Sequence, residues 1–404
     1  MTEATLLKET KEGGIHTKEL ILNLGPQHPS THGILRVVLE LEGERIMGVD
    51  TIIGYLHRGT EKLAESFNYT QIIPLTDRLD YLCQPSNNLA YVRAVEKLLE
   101  IEAPERAQYI RVIMAELARL SGFLLAIGTM AMDLGGMTVI LYSMREREMV
   151  LDLLEMICGS RMHTSFCRIG GVREDLPNGF KERAKEFCKI FPQRVDDYER
   201  LIGANRMFLK RTKGIGRITA EDAINLGLSG PNLRASGVDW DIRRDSPYEI
   251  YDRVKFNVIT MENGDSYDRW KCRIDEMRES VKIIEQCVDQ MHEGPVKVDL
   301  PEIAFPGDKD KVQSSMESLI HHFKIVAEGF KVPKGEVYAS IEAPKGEMGF
   351  YIVSDGAEKP FRMKIRLPSF VNLQALNTMA NNGYLADMIA MIGSLDPVMA
   401  DVDK

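Results

Sequence analysis

The chain has 404 residues, of which 44% are hydrophobic and 27% charged, a composition typical of a globular protein with a sizeable core. Its 51 Lys and Arg residues and 60 Asp and Glu residues give a net charge of −9, which argues against a protein whose main ligand is a nucleic acid. The six cysteines form no CxxC pair, and their scatter favours reduced thiols in a cytosolic protein.

The amino-terminal region is predicted to be a small antiparallel sheet that follows a polar tail. Residues 1–17 lack the apolar segment of a signal peptide, and we expect them to form the tail. Three strands are predicted, at 18–24, 34–41 and 45–51. The first two are separated by GPQHPSTHG (25–33), whose prolines and glycines predict a loop. The β region is therefore predicted to cover residues 18–86.

A helical period begins at Asn87, and it predicts a bundle across residues 87–300. The predicted helices cover 87–99, 104–133, 137–158, 193–211 and about 267–292. The longest apolar stretch, Gly122 to Met132, is much shorter than the roughly 20 residues that cross a bilayer. This part of the chain is therefore predicted to be the helical core.

The last region, 301–404, returns to strands and short helices. Strands are predicted at 336–342, 348–354 and 361–367, and short helices from Phe370 and Tyr384. The tetrapeptide PKGE occurs at 333–336 and 344–347, and we interpret both copies as turns. The predicted fold class is α+β, a central helical bundle with small antiparallel sheets contributed by both terminal regions.

Two histidines, His28 and His32, lie four residues apart in the loop HPSTH. On a helix this spacing would present both rings on one face, as in a zinc site. The prolines around them make a helix unfavourable, so two loop histidines bonded to the backbone are the simpler interpretation.

Two further histidines neighbour arginines in glycine-flanked segments. His57 precedes Arg58 in GYLHRGTEK, and His163 lies between Arg161 and Arg168 in RMHTSFCRIGG. Such segments predict either a positive patch that stabilises negative charge or a solvated turn with surface charges.

Asp133 and Tyr81 allow a structural and a functional interpretation each. Asp133 ends the apolar segment GFLLAIGTMAMD, so it is either a helix-end carboxylate in water or a buried acid that needs a polar partner. A histidine would be a natural partner, because such a pair can store a proton near neutral pH. Tyr81, in DRLDYLCQPSNN, is either a core aromatic or a phenol that donates a hydrogen bond into a cavity.

Eight segments in order along residues 18–404 carry a resemblance to a known family. They are GPQHPSTHG, GYLHRGTEK, DRLDYL, MDLGG, RMHTSFCRIGG, SGPNLRASG, DIRRDSPY and EAPKGEMG. Together they resemble the D subunit of bacterial NADH:quinone oxidoreductase, a component of respiratory complex I that is homologous to the large subunit of nickel–iron hydrogenases. The resemblance implies a hydrogenase large-subunit-like fold.

The resemblance also implies roles for particular residues. His32 and Tyr81 match the residues on either side of a quinone head group, and Asp133 matches the acid paired with that histidine. Arg58 and His163 match positions close to a terminal tetranuclear iron–sulfur cluster, whose cysteine ligands belong to the neighbouring B subunit. We therefore expect quinone as substrate and no metal or cofactor bound by this chain itself.

The positions of the hydrogenase metal ligands are altered in this sequence. The two CxxC pairs of the hydrogenases fall at Asp80 and Cys83 and at Val398 and Asp401, so three of the four thiolates are absent. Nickel–iron binding needs soft sulfur ligands, and the sequence therefore argues against it.

The resemblance predicts a subunit of a proton-translocating NADH:quinone oxidoreductase that is not active alone. The expected partners are the B and C subunits, the iron–sulfur I subunit and the membrane H subunit, without any nucleic acid. The expected location is the cytoplasmic face of the bacterial inner membrane, as a peripheral protein. The alternatives are a hydrogenase-like large subunit and a non-catalytic scaffold of the same assembly. The sequence does not distinguish ubiquinone from menaquinone as acceptor.

Overall fold

The computed structural model describes residues 7–12, 15–300, 303 and 309–404. Within these residues the elements are, in chain order, β1 (Leu7–Glu12), β2 (Ile15–Leu24), β3 (Arg36–Glu42), β4 (Arg45–Ile52), α1 (Thr60–Ala64), α2 (Tyr69–Thr76), α3 (Gln84–Leu99), α4 (Glu105–Asp133), α5 (Met137–Cys158), β5 (Cys167–Arg168), β6 (Gly171–Val172), α6 (Phe180–Tyr198), α7 (Arg206–Thr212), α8 (Ala220–Asn225), α9 (Pro231–Arg234), α10 (Ile242–Asp245), α11 (Ser266–Gln290), α12 (Lys309–Ser314), α13 (Met316–Ala327), β7 (Gly335–Ala343), β8 (Gly346–Ser354), β9 (Arg362–Arg366), α14 (Pro368–Leu373), α15 (Ala375–Ala380), α16 (Leu385–Leu395) and α17 (Met399–Asp403). The predicted α+β class, with helices and small antiparallel sheets, is confirmed.

The first sheet is antiparallel, with its strands in the order β1-β2-β3-β4. On β3 the side chains of Val37, Leu39 and Leu41 are fully buried, whereas Glu40 and Glu42 are exposed. This alternation gives the sheet one apolar face, which packs against the apolar side chains of α15 and α16. The other face is exposed to water. The carboxyl-terminal helices therefore return to the amino-terminal sheet.

The helical core is built around α4, which packs against α3, α5, α11 and α16. Nearly the whole length of α4 is buried, because neighbouring helices surround it on several sides. A helix of this kind loses the polar face that marks surface helices, which explains the long apolar stretch in its second half. No helix among the described residues is long and apolar enough to cross a bilayer.

Apart from the short two-stranded pair of β5 and β6, the second sheet contains β7, β8 and β9, all antiparallel, and it packs against α3. Tyr91 of α3 meets Phe350 of β8 edge-on, with their ring centroids 5.5 Å apart. The two-residue turn between β7 and β8 is Pro344-Lys345, within the second PKGE segment, and the interpretation of that segment as a turn is confirmed. The turn is buried against α4 and the loop before α9, as the contacts of Gly122 and Gly346 show.

Three features differ from the elements predicted by the sequence. Strand β1 lies within the segment interpreted as a polar tail, where it pairs with β2 from Leu7 opposite Leu20 to Glu12 opposite Ile15. The predicted helix 193–211 is wrong, because the chain forms α6, a π-helical turn at Glu199–Gly203 and then a separate α7. Helices α1 and α2 lie inside the predicted β region. The domain boundaries at 86 and 300 stay predictions.

Candidate functional site

The loop between β2 and β3 is closed by its own backbone. Thr31 donates two hydrogen bonds to the carbonyl oxygen of His28, from Oγ1 at 2.7 Å and from the backbone nitrogen at 3.1 Å. Gly25 has a φ of 86°, and a Cβ there would lie 2.1 Å from the carbonyl oxygen of Leu35, so only glycine fits. The loop therefore holds a defined shape that presents His32.

His32 and Asp133 meet although 101 residues separate them. The Nε2 atom of His32 lies 3.1 Å from Oδ2 of Asp133, and the two side chains are 12% and 7% exposed. Asp133 is the last residue of α4, and a Cβ at Gly393 of α16 would lie 3.7 Å from its Oδ2. The structure therefore supports the buried-acid interpretation of Asp133, with the imidazole as its partner.

His28 does not join this pair in a metal site. Within the described residues, no group of three or more histidine, cysteine, aspartate and glutamate side chains is arranged to hold a metal ion. His28 is half-buried, and its carbonyl oxygen closes the loop as an acceptor. The simpler interpretation, two loop histidines bonded to the backbone, is wrong for His32, whose ring contacts the Asp133 side chain.

Tyr81 lies in the turn between α2 and α3, which we call the Tyr81 turn (residues 77–83). The carbonyl oxygen of Asp80 accepts hydrogen bonds from the backbone nitrogen of Cys83 at 3.1 Å and from Nδ2 of Asn87 at 2.9 Å. The Tyr81 side chain is 38% exposed, so it is not a core aromatic. Partial burial, followed by the charge of Asp80, raises the pKa of the Tyr81 phenol, which keeps it protonated as a hydrogen-bond donor.

His57 and Arg58 lie in a loop that the carboxyl-terminal residues hold. Asp403 accepts hydrogen bonds from the backbone nitrogens of Gly54 and Leu56, at 2.8 and 2.7 Å, and its carbonyl oxygen accepts one from Nδ1 of His57 at 2.7 Å. Arg58 donates to the carbonyl oxygen of Arg78 at the near end of the Tyr81 turn. Burial, and then the charge of Arg78, lower the pKa of Arg58. These two guanidinium groups support the positive-patch interpretation.

His163 is exposed and lies in a different loop, which also contacts the Tyr81 turn. Its neighbour Ser165 donates a hydrogen bond from Oγ to Oδ2 of Asp77, the first residue of the Tyr81 turn. Burial raises the pKa of Asp77, and the charge of His163 acts against that shift. Arg161 instead pairs with Glu148 at 2.6 Å on the surface. Arg168 is half-buried, and its carbonyl oxygen accepts from Nη2 of Arg111 at 2.9 Å.

A buried cation that no sequence pattern predicted lies behind the Tyr81 turn. Lys345, in the turn between β7 and β8, is 1% exposed and places its Nζ 2.9 Å from Oδ2 of Asp80 and 3.6 Å from Oδ2 of Asp396. The second copy of PKGE was the only local signal, and a turn lysine is ordinarily solvated. We call Lys345, Asp80 and Asp396 the Lys345 cluster.

Comparison with known proteins places the chain in one family. Residues 133–404 match the family model described as respiratory-chain NADH dehydrogenase, 49 Kd subunit. Two proteins from Rhizobium etli and Rhizobium meliloti, each named as the second D subunit of an NADH-quinone oxidoreductase, are 72% and 70% identical over 404 residues, covering all of both chains. The protein named as the D subunit of the NADH-quinone oxidoreductase of Geobacter sulfurreducens is 55% identical over 388 residues, 96% of this chain and 99% of its own length. The chain therefore belongs to the 49 kDa subunit family of the respiratory-chain NADH dehydrogenase, which includes the D subunits of bacterial NADH-quinone oxidoreductases.

Proposed function

We propose that this chain forms one wall of the site where complex I reduces its quinone. As a family member it is a subunit of a multisubunit NADH-quinone oxidoreductase. The single observation that carries the finer proposal is the contact between His32 and Asp133, a nearly buried imidazole and carboxylate held 3.1 Å apart by a rigid loop and a helix end.

Reduction of a quinone to a quinol consumes two electrons and two protons. His32 and Tyr81 hydrogen-bond the two carbonyl oxygens of the head group and supply the protons. Asp133 orients the His32 ring and stabilises its protonated form. The electrons come from a tetranuclear iron–sulfur cluster held by the B subunit, beside which we place Arg58 and His163. The positive charge of Arg58, and that of His163 when protonated, would favour the reduced state of such a cluster.

The proposed setting follows from these roles. The chain docks on the B and C subunits, on the iron–sulfur I subunit and on the membrane H subunit, at the cytoplasmic face of the bacterial inner membrane. The energy of quinone reduction in this assembly drives proton translocation. The chain alone has no activity, because the electrons reach the quinone only through its partners.

The hydrogenase-like alternative is disfavoured by one specific observation. In a hydrogenase, the residues at positions 80 and 83 would be metal ligands. Here the ammonium of Lys345 lies 2.9 Å from Oδ2 of Asp80 in place of a metal ion. Burial, together with the nearby Asp80 carboxylate, also raises the pKa of the Cys83 thiol well above its ordinary value, which keeps it neutral and a poor metal ligand. We therefore propose that this chain holds no nickel–iron centre, and a stoichiometric amount of nickel in the purified complex would contradict this.

A double-mutant cycle on His32 and Asp133 tests the proposed function. Asp133→Asn should slow quinone reduction about a hundredfold, the contribution typical of a proton-transfer group, while assembly is preserved. Adding His32→Ala should cost little more, because residues that act as one unit are not additive. Complex content and NADH oxidation by an artificial acceptor, which bypasses the quinone, serve as controls. Unchanged quinone reduction in both single variants would favour the scaffold alternative, and fully additive losses would mean that the two residues act separately.

A further inference from the structure

The Lys345 ammonium is buried, and neighbouring residues hold the turn that carries it in place. The carbonyl oxygen of Lys345 accepts a hydrogen bond from Nδ2 of Asn372 at 2.9 Å. Gly346 follows with a φ of 133°, and a Cβ there would lie 2.4 Å from Oγ of Ser229. Burial disfavours the charged ammonium, but Asp396 and Asp80 more than offset it, so the pKa of Lys345 lies well above its ordinary value. The cluster therefore contains a fixed positive charge.

The two acids of the cluster come from parts of the chain far from Lys345 and from each other. Asp80 precedes Tyr81 directly, and its Oδ1 also accepts from the backbone nitrogen of Leu82 at 3.0 Å. Asp396 follows α16 with a φ of 54°, a left-handed conformation that is unfavourable for a residue other than glycine. The fold accepts this strain at the position that brings the Asp396 carboxylate to Lys345.

The ion pair ties the Tyr81 turn to the second sheet. Asp80 and Lys345 are 265 residues apart, and their contact joins the turn before α3 to the turn between β7 and β8. Both side chains are nearly inaccessible, at 7% and 1%, so water does not screen the interaction. Loss of the ammonium would leave two carboxylates buried without their counter-charge directly behind Tyr81.

We propose that Lys345 is a positioning residue for Tyr81, because its charge balances the carboxylates of Asp80 and Asp396 behind the phenol. The proposal rests on the proposed function, in which Tyr81 donates a proton to a quinone oxygen. A phenol that gives up its proton becomes negative, so a cation behind it assists the transfer, and each carboxylate opposes it. The groups that face Tyr81 in this way are Asp80, Lys345 and Asp396, and the cluster carries a formal charge of −1.

Charge-balanced variants of the assembled complex separate this role from a structural one. Lys345→Met changes the cluster charge from −1 to −2 and should lower kcat for a short-chain quinone about tenfold or more, with a smaller change in KM. Lys345→Met with Asp80→Asn restores the charge of −1 and should recover kcat to within about threefold of the parent. Lys97→Met is the matched control, because Lys97 is an exposed lysine on α3 that donates to the carbonyl oxygen of Tyr338 at 3.2 Å. Control activity should be unchanged.

Two further measurements make the outcome decisive. In a Tyr81→Phe background, Lys345→Met should add little to the loss, because Lys345 acts through the phenol. The solvent isotope effect on kcat should rise in Lys345→Met if proton donation has become slower. Additive losses, or a charge-balanced double variant as slow as Lys345→Met, would overturn the proposal.

The controls also separate failure of this proposal from failure of the proposed function. If Lys345→Met does not assemble, the charge-balanced double variant carries the test, and a loss in it as large as that of Tyr81→Phe would overturn the proposal. If Tyr81→Phe, His32→Ala and Asp133→Asn all leave quinone reduction unchanged, the proposed function itself is wrong. If they impair it and the Lys345 variants behave additively, only the role of Lys345 is withdrawn.

Discussion

Helix α4 carries two carboxylates whose partners differ: Glu116 near its middle and Asp133 at its end. Near the middle of the helix, Glu116 is fully buried and is contacted by Arg119 at 3.2 Å, by Arg243 at 3.1 Å and by the Tyr251 hydroxyl at 2.6 Å. At the end of the helix, Asp133 has the imidazole of His32 at 3.1 Å. Burial acts to raise the pKa of Glu116, but Arg119 and Arg243 outweigh it, so the pKa lies below its ordinary value.

In the proposed function, this difference separates a structural acid, Glu116, from a reactive one, Asp133. Glu116 belongs to a network in which Arg243 also pairs with Asp241 at 2.7 Å, and Arg234 pairs with Glu276 and Glu342, each at 2.8 Å. Arginine stays charged at every physiological pH, so the partners of Glu116 keep its carboxylate ionised. A histidine partner can gain and lose a proton near neutral pH, and Asp133 is therefore suited to chemistry that Glu116 is not.

The largest effect is expected from breaking the structural network. Arg243→Met should destabilise the chain by about 3–5 kcal/mol, because Glu116 and Asp241 would keep their burial and lose a cation. The measurement is complex content together with the thermal midpoint, and activity per assembled complex should change little. A normal content with a specific loss of quinone reduction would mean that the network is functional after all.

Asp401 is another buried carboxylate, and its environment predicts that the stability of the protein depends on pH. Its Oδ2 accepts from the backbone nitrogen of Ser369 at 3.0 Å, and its Oδ1 has no hydrogen bond of normal geometry among the described residues. Burial, and then the charge of Asp80, raise its pKa to about 7. The folded protein therefore holds a proton that the unfolded chain releases near pH 4, and stability falls as pH rises from about 4 to 7.

The Asp401→Asn variant should remove that dependence. Since the amide needs no proton, the variant should gain stability relative to the parent as pH rises, by an amount on the order of a few kcal/mol above pH 7. Thermal midpoints of the assembled complex at pH 5 and pH 8 measure this. An equal difference between variant and parent at the two pH values would show that Asp401 is ionised in the folded state throughout.

A smaller effect is expected at Tyr81, which tests the reactive side of the comparison. In the proposed site, Tyr81→Phe removes a proton donor and one hydrogen bond to the head group, worth about 0.5–1.5 kcal/mol. The apparent KM for quinone should therefore rise by about 2- to 10-fold and kcat should fall at least as far as in Lys345→Met, while assembly is unchanged. Steady-state kinetics with a series of short-chain quinones provide the measurement. Unchanged kinetics across the series would remove Tyr81 from the site.

The smallest effect is expected at His163, which is exposed and whose charge acts on Asp77. A titratable imidazole near the partner's cluster would make the reduction potential of that cluster depend on pH. His163→Met should weaken the dependence while the cluster still assembles, as a redox titration of the assembled complex at several pH values would show. Identical slopes in the two proteins would place His163 too far from the cluster to act.

Local patterns in the sequence determined the long helices and the second sheet. The apolar period of 3–4 residues placed α4 correctly, since that period depends only on neighbouring turns of one helix, and the helix predicted at 137–158 is confirmed as α5. Strands β7 to β9 were predicted because turn residues separate them along the chain. The roles of His32, Tyr81 and Asp133 came from the resemblance to a family, and they stay predictions.

Only the tertiary structure decided that Lys345 meets Asp80, whereas the family resemblance predicts the pairing of His32 with Asp133. The contacts between His32 and Asp133 and between Asp80 and Lys345 span 101 and 265 residues, and no local pattern encodes them. A lysine in a PKGE turn is expected in water, and burial against α4 and the loop before α9 made it a counter-ion instead. The break between α6 and α7 was not predicted either, because a π-helical turn does not change the pattern of polar and apolar residues. The pairing of β1 with β2 was missed because an edge strand can be as polar as a tail.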